Sequence, residues 1–411
     1  MRCKRGYCND FINSGAAEFF YYVDMKKFRI IVMIISLLSI FVAAAIYVYY
    51  VNAEALRDVR LDCTSVIDVH PDVIEKSLSK VQTDNELGEP FKVYPIETNP
   101  DSGVFFHSTL IEYPFGSSPR ADSQNNVSLR GIVLYVHGYN DYFFQKELAE
   151  KADSAGFAFF AIDLHHCGRS YVSDEPRADF RNIKEFYAEL DVAVELSKKI
   201  AVDDYEEAER IPFIVIGHSQ GGLVSSLYVN DRSEGHFTAL VLNSPFLDFN
   251  FNWFARKIGM PLLAEIALFL PDFRVESTGD PNYAYSLLKS EKGEWEYNET
   301  LKSVGRPVQY LGWARAIMNG HNRVHSKLNV KVPVLVMRSD CSADGEEWTD
   351  DYLHCDGVLN VDHIEEWAPY LGEKVTVKTI PDGLHDLYLS RKTARDKAYR
   401  ETFEFIERVI K

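Results

Sequence analysis

Ile211-Pro-Phe-Ile-Val-Ile-Gly-His-Ser-Gln-Gly-Gly222 decides how the rest of the chain is read. Its first half is an apolar, β-branched run ending at Gly217, the pattern of a strand buried on both faces. Ser219 follows two residues later, and after two glycines Leu223-Val-Ser-Ser-Leu-Tyr-Val229 reads as a helix. This is Gly-x-Ser-x-Gly set between a strand and a helix, the context in which the motif forms a tight turn that projects a serine hydroxyl. Such a turn strains the serine backbone, and a Cβ at Gly217 or Gly221 would clash across it. An ordinary glycine-rich turn is the plainer alternative. The strand before and the helix after weigh against it.

A chain of 411 residues, of which 46% are hydrophobic, suits one large α/β domain with additions. The net charge of −17 argues against a nucleic-acid partner, because binding phosphates calls for clustered cations. None of the six cysteines forms a Cys-x-x-Cys pair, so zinc has little support. Cys341 and Cys355 bracket a short polar loop. They close it as a disulfide in an oxidising compartment, or stay as two thiols.

Ile30 to Val51 is a run of 22 residues whose polar members are Ser36 and Ser39, apart from tyrosine hydroxyls. At about 1.5 Å rise per residue it is long enough to cross a bilayer. Lys26, Lys27 and Arg29 precede it and Tyr47, Tyr49 and Tyr50 close it, as expected of a cytoplasmic positive flank and an interfacial aromatic belt. The expectation is a cytoplasmic segment over 1–29, a transmembrane anchor over 30–51, a stalk over 52–90, and a catalytic domain over 91–411 on the exterior (periplasmic or extracellular) side. A cleaved signal peptide, with Ala53-Glu-Ala55 near its cleavage site, is the rival reading. Met25 would also make a natural start.

Within the domain, Phe91–Ile96 and Val104–Tyr113 are expected as antiparallel edge strands. Gly131–Val136, Ala158–Asp163, the elbow strand and Phe237–Asn243 then alternate with helices around Phe144–Ala155 and Asn182–Ile200. That rhythm means a mostly parallel sheet covered on both faces. It breaks at about 248–331, an aromatic and mostly helical insertion read as a cap that builds an apolar pocket. Phe249, Phe251, Trp253, Phe254, Leu262 and Leu263 begin its apolar set. Val332–Met337 and Lys374–Ile380 resume the sheet, and a helix over Lys392–Ile410 ends the domain.

A serine hydroxyl needs a general base within hydrogen-bond reach. In an open α/β sheet the reacting groups gather at the carboxyl ends of the strands. His385, in Pro381-Asp-Gly-Leu-His385-Asp, follows the last strand and is the candidate base. The acid that orients it should follow the Val332–Met337 strand, where Asp340 and Asp356 both qualify. The oxyanion donors are expected to be the backbone N–H groups of Gln220, just after the nucleophile, and Tyr139, in His137-Gly-Tyr-Asn-Asp141. His218 is read as structural. His321 and His325 have the i, i+4 spacing of two ligands but no acidic partner, so neither metal nor cofactor is expected.

With these residues in place the chain resembles the α/β-hydrolase superfamily, and within it the monoacylglycerol lipase and lysophospholipase group of serine aminopeptidase S33-type hydrolases. The likeness rests on His137-Gly-Tyr-Asn-Asp141, Asp163 with Gly168-Arg-Ser170, Gly217-His-Ser-Gln-Gly221, Leu242-Asn-Ser-Pro-Phe246 and Gly383-Leu-His-Asp386. It runs from about Phe91 to Lys411. It implies an α/β-hydrolase fold with an eight-stranded sheet, helices on both faces and a helical cap. It also implies a triad of Ser219, Asp356 and His385. Asp356 is preferred because Asp356-Gly-Val-Leu359 matches the family's acid context and Asp340-Cys-Ser-Ala343 does not. Two departures stand out: His166-Cys-Gly-Arg-Ser170 replaces the usual Gly-His-Gly-x-Ser turn, and Arg338-Ser339 replaces a glycine after the acid strand.

The function implied is a membrane-anchored serine hydrolase cleaving carboxylic esters of lipid-like substrates such as monoacylglycerol or lysophospholipid. A peptidase or amidase of the same fold would need cap carboxylates for a free amine, for which Glu265, Glu276, Glu291, Glu294 and Glu296 are available. A catalytically silent binding domain is the third reading. Oligomeric state has no signal in the sequence.

Overall fold

The computed structural model describes residues 33–42, 44, 71–101, 104–118, 128–173, 175–202, 210–232, 237–275, 281–305, 307–345 and 347–411. Two compact units, Met1–Cys63 and Thr64–Lys411, divide the chain. In the first, residues 33–42 and 44 are helical and expose apolar side chains, with Phe41 at 71%. Among the described residues no helix is long and apolar enough to cross a membrane. The remainder of the expected anchor, its upstream flank and the stalk before residue 71 lie outside the described residues.

The second unit is built on one sheet. Its strands are β1 (Gln82–Thr83), β2 (Lys92–Asp101), β3 (Val104–Tyr113), β4 (Gly131–Val136), β5 (Phe157–Asp163), β6 (Phe213–His218), β7 (Ala239–Asn243), β10 (Val334–Ser339) and β11 (Val375–Ile380), with β8 (Arg274–Val275) and β9 (Gln309–Tyr310) pairing separately in the cap. The main sheet runs β1-β2-β3-β5-β4-β6-β7-β10-β11. From β5 to β11 all neighbours are parallel, and β1 to β3 add an antiparallel edge. The sheet therefore has nine strands rather than the expected eight. The extra one, Gln82–Thr83, is two exposed residues long and carries no periodic signal.

The central strands are buried on both faces because helices cover both. Ile132, Leu134 and Val136 of β4 face one core, shared with the helices Tyr187–Ala201 and Ser219–Asp231. Val133 and Tyr135 face the other, shared with Lys146–Ser154 and Lys392–Ile410. Register places the strand ends together: Val136 pairs with Gly217, His218 with Asn243, and Asn243 with Met337. The first crossover from β4 leads to β5 on one side, while β6 lies on the other. The carboxyl ends of β4 and β6 thus flank the switch point where an open α/β sheet leaves a crevice.

The cap over residues 248–331 contains the helices Met260–Ala267, Asn282–Leu287 and Leu311–His325, but fewer than half of its described residues are helical, against the mostly helical insertion expected. Its first helix is turned against expectation. Met260, Ala264 and Ala267 face inward, while Trp253, Phe254, Leu262, Leu263, Ile266 and Phe269 are exposed. Of the apolar residues expected to build the pocket, Phe249 and Phe251 reach the cavity and these six do not.

Candidate active site

Ser219 is the first residue of the helix Ser219–Asp231 and sits at φ +52°, in the left-handed region. A non-glycine residue is rare there and marks a strained turn at a functional position. The glycines around it are sterically required. A Cβ on Gly217 would lie 2.7 Å from the Gly221 carbonyl oxygen, and one on Gly221 would lie 2.2 Å from that of His137.

His385, in the loop after β11, spans the serine and an acid. Its Nε2 lies 2.9 Å from Ser219 Oγ and its Nδ1 lies 2.9 Å from Asp356 Oδ2. The three residues are 7%, 3% and 0% exposed, in the order Ser219, His385, Asp356, so each hydrogen bond acts in a poorly solvated setting. The other Asp356 oxygen, Oδ1, accepts the backbone N–H groups of Val358 at 2.9 Å and Leu359 at 2.8 Å. Asp340 is exposed. It accepts the Asp382 N–H at 3.1 Å and makes no bond to His385.

How Asp356 returns to the strand end is visible in the loop base. Cys341 and Cys355 are joined by a disulfide across a sequence separation of 14. Just beside it, Asp356 N–H donates to the Cys341 carbonyl at 2.9 Å and Ala343 N–H to the Asp356 carbonyl at 2.8 Å. The insertion is thus pinched off at its neck, and the acid resumes where the strand left off.

The His385 loop is itself held from below. Asp386 accepts Asn243 Nδ2 at 2.7 Å and Gln145 Nε2 at 2.8 Å, and Leu387 N–H donates to Asn243 Oδ1 at 3.1 Å. Asp163 and Arg169 do similar work at the neighbouring strand end. Asp163 accepts the Phe143 N–H and pairs with Arg169, which also pairs with Asp84. These buried charges are compensated and fix the loop after β4 against the exit of β5.

Gln220 occupies the first turn of its helix, where backbone N–H groups have no intrahelical acceptor and the helix dipole is positive. Its side chain accepts the indole N–H of Trp313 at 3.1 Å, and Trp313 packs on Tyr139 with ring centroids 5.1 Å apart. Gly138 brings the loop after β4 against the elbow, and a Cβ there would meet Ser219 Cβ at 3.1 Å. The residues expected to supply the oxyanion donors, Tyr139 and Gln220, thus flank Ser219 from the ends of β4 and β6.

His218 is nearer to the site than its structural reading suggested. Its ring is 4.9 Å from that of His385, and its Nδ1 lies 3.6 Å from Asp141 Oδ2, beyond hydrogen-bond reach. His321 and His325 do not converge on a common point. Their Nε2 atoms bond the carbonyls of Phe246 at 2.9 Å and Leu247 at 2.9 Å, clamping the loop after β7. Asp141, His218 and Asp386 form a cluster within 4.8 Å that has the donor types for a metal. Lys302 already supplies its cation, bonding Asp141 Oδ1 at 2.7 Å.

A cavity of about 280 Å³ opens above Ser219 and His385, lined by Phe246, Phe249, Phe251, Trp313, Val358 and Leu359 among others. Among the described residues Asp141 is the one carboxylate in its wall and Lys302 the one lysine or arginine. Sequence reasoning missed Lys302, which lies in a loop with no recognisable pattern, and missed Gln145, a helix-flanking glutamine with no motif around it.

The family model described as serine aminopeptidase, S33 matches residues 127–343, more than half of the chain, a span that includes Ser219 and ends before Asp356 and His385. A phospholipase of Bacillus subtilis, YtpA, is 26% identical over 117 residues, which are 28% of this chain and 40% of that protein. The chain thus matches less than half the length of that relative. A soluble variant of monoglyceride lipase from Saccharomyces cerevisiae superposes with TM-score 0.56 at 15% identity, covering 76% of this chain and 94% of that one. A carboxyl esterase from Bacillus coagulans gives TM-score 0.52 at 16% identity, covering 78% and 99%. At such identities the superpositions establish the fold.

Proposed function

The chain belongs to the serine aminopeptidase S33 family and is a serine hydrolase of the α/β-hydrolase fold, and from that premise we propose that it cleaves carboxylic esters of lipid-like substrates, of the monoacylglycerol or lysophospholipid kind. The observation that carries this reading is the continuous hydrogen-bonded line Ser219–His385–Asp356 at the floor of an apolar-lined cavity. Ser219 Oγ attacks the ester carbonyl while His385 Nε2 takes its proton. Asp356 holds the imidazole with its proton on Nδ1 and stabilises the imidazolium that forms. The Gln220 and Tyr139 backbone N–H groups receive the negative oxygen. His385 then protonates the departing alcohol, and water releases the acyl group by the same steps in reverse order.

The lipid-like substrate draws support from three sides. The relatives include a phospholipase and a monoglyceride lipase by name. The cavity wall is mainly apolar. The outer cap surface, with Trp253 and Phe254 each 63% exposed, is suited to a lipid interface. The apolar run Ile30–Val51 supports a tether that leaves the N-terminus cytoplasmic and the catalytic domain on the exterior side. The Cys341–Cys355 disulfide accords with an oxidising compartment.

The test is turnover of p-nitrophenyl esters of graded chain length beside monoacylglycerol and lysophospholipid. Wild type should cleave them and Ser219→Ala should not, with circular dichroism unchanged. Activity retained by Ser219→Ala ends the proposal. No observation favours the peptidase reading: Glu265, Glu291, Glu294 and Glu296 do not line the cavity, and Glu276 lies outside the described residues. Faster turnover of aminoacyl amides than of acyl esters would reinstate it.

A further inference from the structure

We propose that Lys302 is a positioning residue that locks the cap onto the oxyanion loop through its buried bond to Asp141. The inference rests on the ester-hydrolase reading of the site.

Lys302 belongs to the cap and is 6% exposed. A buried ammonium is stable only when its charge is met. Here its Nζ donates to Asp141 Oδ1 at 2.7 Å and lies over the rings of Phe144, Tyr297 and Tyr283 at 5.3, 5.7 and 5.9 Å from their centroids. The next cap residue, Ser303, adds a bond to the same loop: Asn140 Nδ2 donates to its carbonyl at 3.0 Å, while its Oγ donates to the Gly305 carbonyl at 2.7 Å. Asn140 sits at φ +49°, a conformation that needs such anchoring. Two consecutive cap residues therefore grip two consecutive loop residues, directly after Tyr139, the proposed oxyanion donor. Cap seating and oxyanion geometry become one event.

The grip acts through Asp141. Its Oδ1 accepts Lys302 and the Tyr142 N–H, while Oδ2 has no hydrogen-bond partner among the described residues and faces His218 Nδ1 at 3.6 Å. Burial works to raise the Asp141 carboxyl, and Lys302, together with His218 and His137, holds it well below the usual range. Removing the ammonium leaves a buried carboxylate without its hydrogen-bonded cation, in the loop that follows Tyr139.

The other ionisable groups around the pair are occupied. His137 bonds the Gly138 carbonyl through Nδ1 and the Leu164 N–H through Nε2. Asp386 is held by Asn243 and Gln145, and Asp356 by His385 and two backbone N–H groups. Burial pushes the Tyr135, Tyr142, Tyr283 and Tyr297 hydroxyls and the Cys167 thiol upward, so all stay protonated. Among the described residues Lys302 is the one lysine or arginine in the cavity wall, and it is hydrogen-bonded to Asp141.

The experiment measures kcat and KM for a p-nitrophenyl ester in four proteins: wild type, Lys302→Met, Lys302→Arg, and Lys302→Met with Asp141→Asn. In Lys302→Met kcat should fall about tenfold or more with KM within about threefold, since a displaced oxyanion donor weakens the transition state rather than substrate binding. Arginine should restore kcat. The double variant leaves no unpaired buried charge, so it stays readable where the single change lowers stability, and its kcat should stay low. A wild-type kcat in Lys302→Met or in the double variant, or a rise in KM that accounts for the whole loss, overturns the inference. Ser219→Ala run alongside separates the two levels: if it remains active the ester-hydrolase reading fails, and if it is dead while Lys302→Met keeps a wild-type kcat only this inference fails.

Discussion

Replacing Asp356 with asparagine changes one atom, yet the surrounding hydrogen bonds dictate a large consequence. The Oδ1 position receives the N–H groups of Val358 at 2.9 Å and Leu359 at 2.8 Å. The asparagine oxygen must stay there, because an amide NH₂ would face two donors. That turns the NH₂ toward His385 Nδ1, which now has to accept. The imidazole proton moves to Nε2, facing Ser219 Oγ, and the ring can no longer take the serine proton. A wrong-tautomer histidine costs about four orders of magnitude in kcat, or about 5.4 kcal/mol of barrier. Asp340→Asn should change kcat less than threefold, since Asp340 is exposed and its bond runs to the Asp382 N–H. The assay is steady-state hydrolysis of p-nitrophenyl butyrate, with circular dichroism to confirm folding. The reasoning is refuted if Asp356→Asn keeps kcat within tenfold of wild type, or if Asp340→Asn is the more damaging change.

Three further outcomes follow from the structure. Opening the Cys341–Cys355 loop with paired serine substitutions should lower stability by about 3 kcal/mol in urea unfolding and reduce kcat through a looser Asp356; equal stability with and without the bridge contradicts this. Burial pushes His321 down to about 3, whereas an unfolded histidine titrates near 6.5. The unfolded chain therefore binds more protons below pH 6.5, and stability present above that pH is lost as pH falls, by about 2 kcal/mol at pH 5. His321→Gln should remove that part of the acid sensitivity, and an unaltered slope between pH 7.5 and 5 speaks against it. Gly221→Ala places a methyl 2.2 Å and 2.5 Å from two carbonyl oxygens, so it should cost about 3 kcal/mol or more, checked by thermal melting.

The sheet was legible where strands are buried on both faces, because such strands are continuous apolar runs. Gly131–Val136 and the final helix Lys392–Ile410 match their expected limits. Limits drifted where a single residue governs the ladder. The strand expected from Val332 begins at Val334, since Pro333 has no N–H to give. The cap was legible as an insertion, but neither its large non-helical share nor the orientation of its first helix was. Large side chains outside and alanines inside invert the usual pattern, so hydrophobicity alone pointed Trp253, Phe254 and Leu262 the wrong way. The site was legible in residues that carry motifs and illegible in those that act by contact. Gln145, Asp141 and Lys302 come together only after folding, from segments up to 161 residues apart in the Asp141–Lys302 case.

Exposing the protein to a fluorophosphonate and mapping the adduct by mass spectrometry tests the nucleophilic role of Ser219 directly. One adduct, on Ser219, lost in Ser219→Ala and slowed by added monoacylglycerol, is the predicted result. A protein that takes no label, or takes it on another residue while Ser219 stays free, contradicts the account.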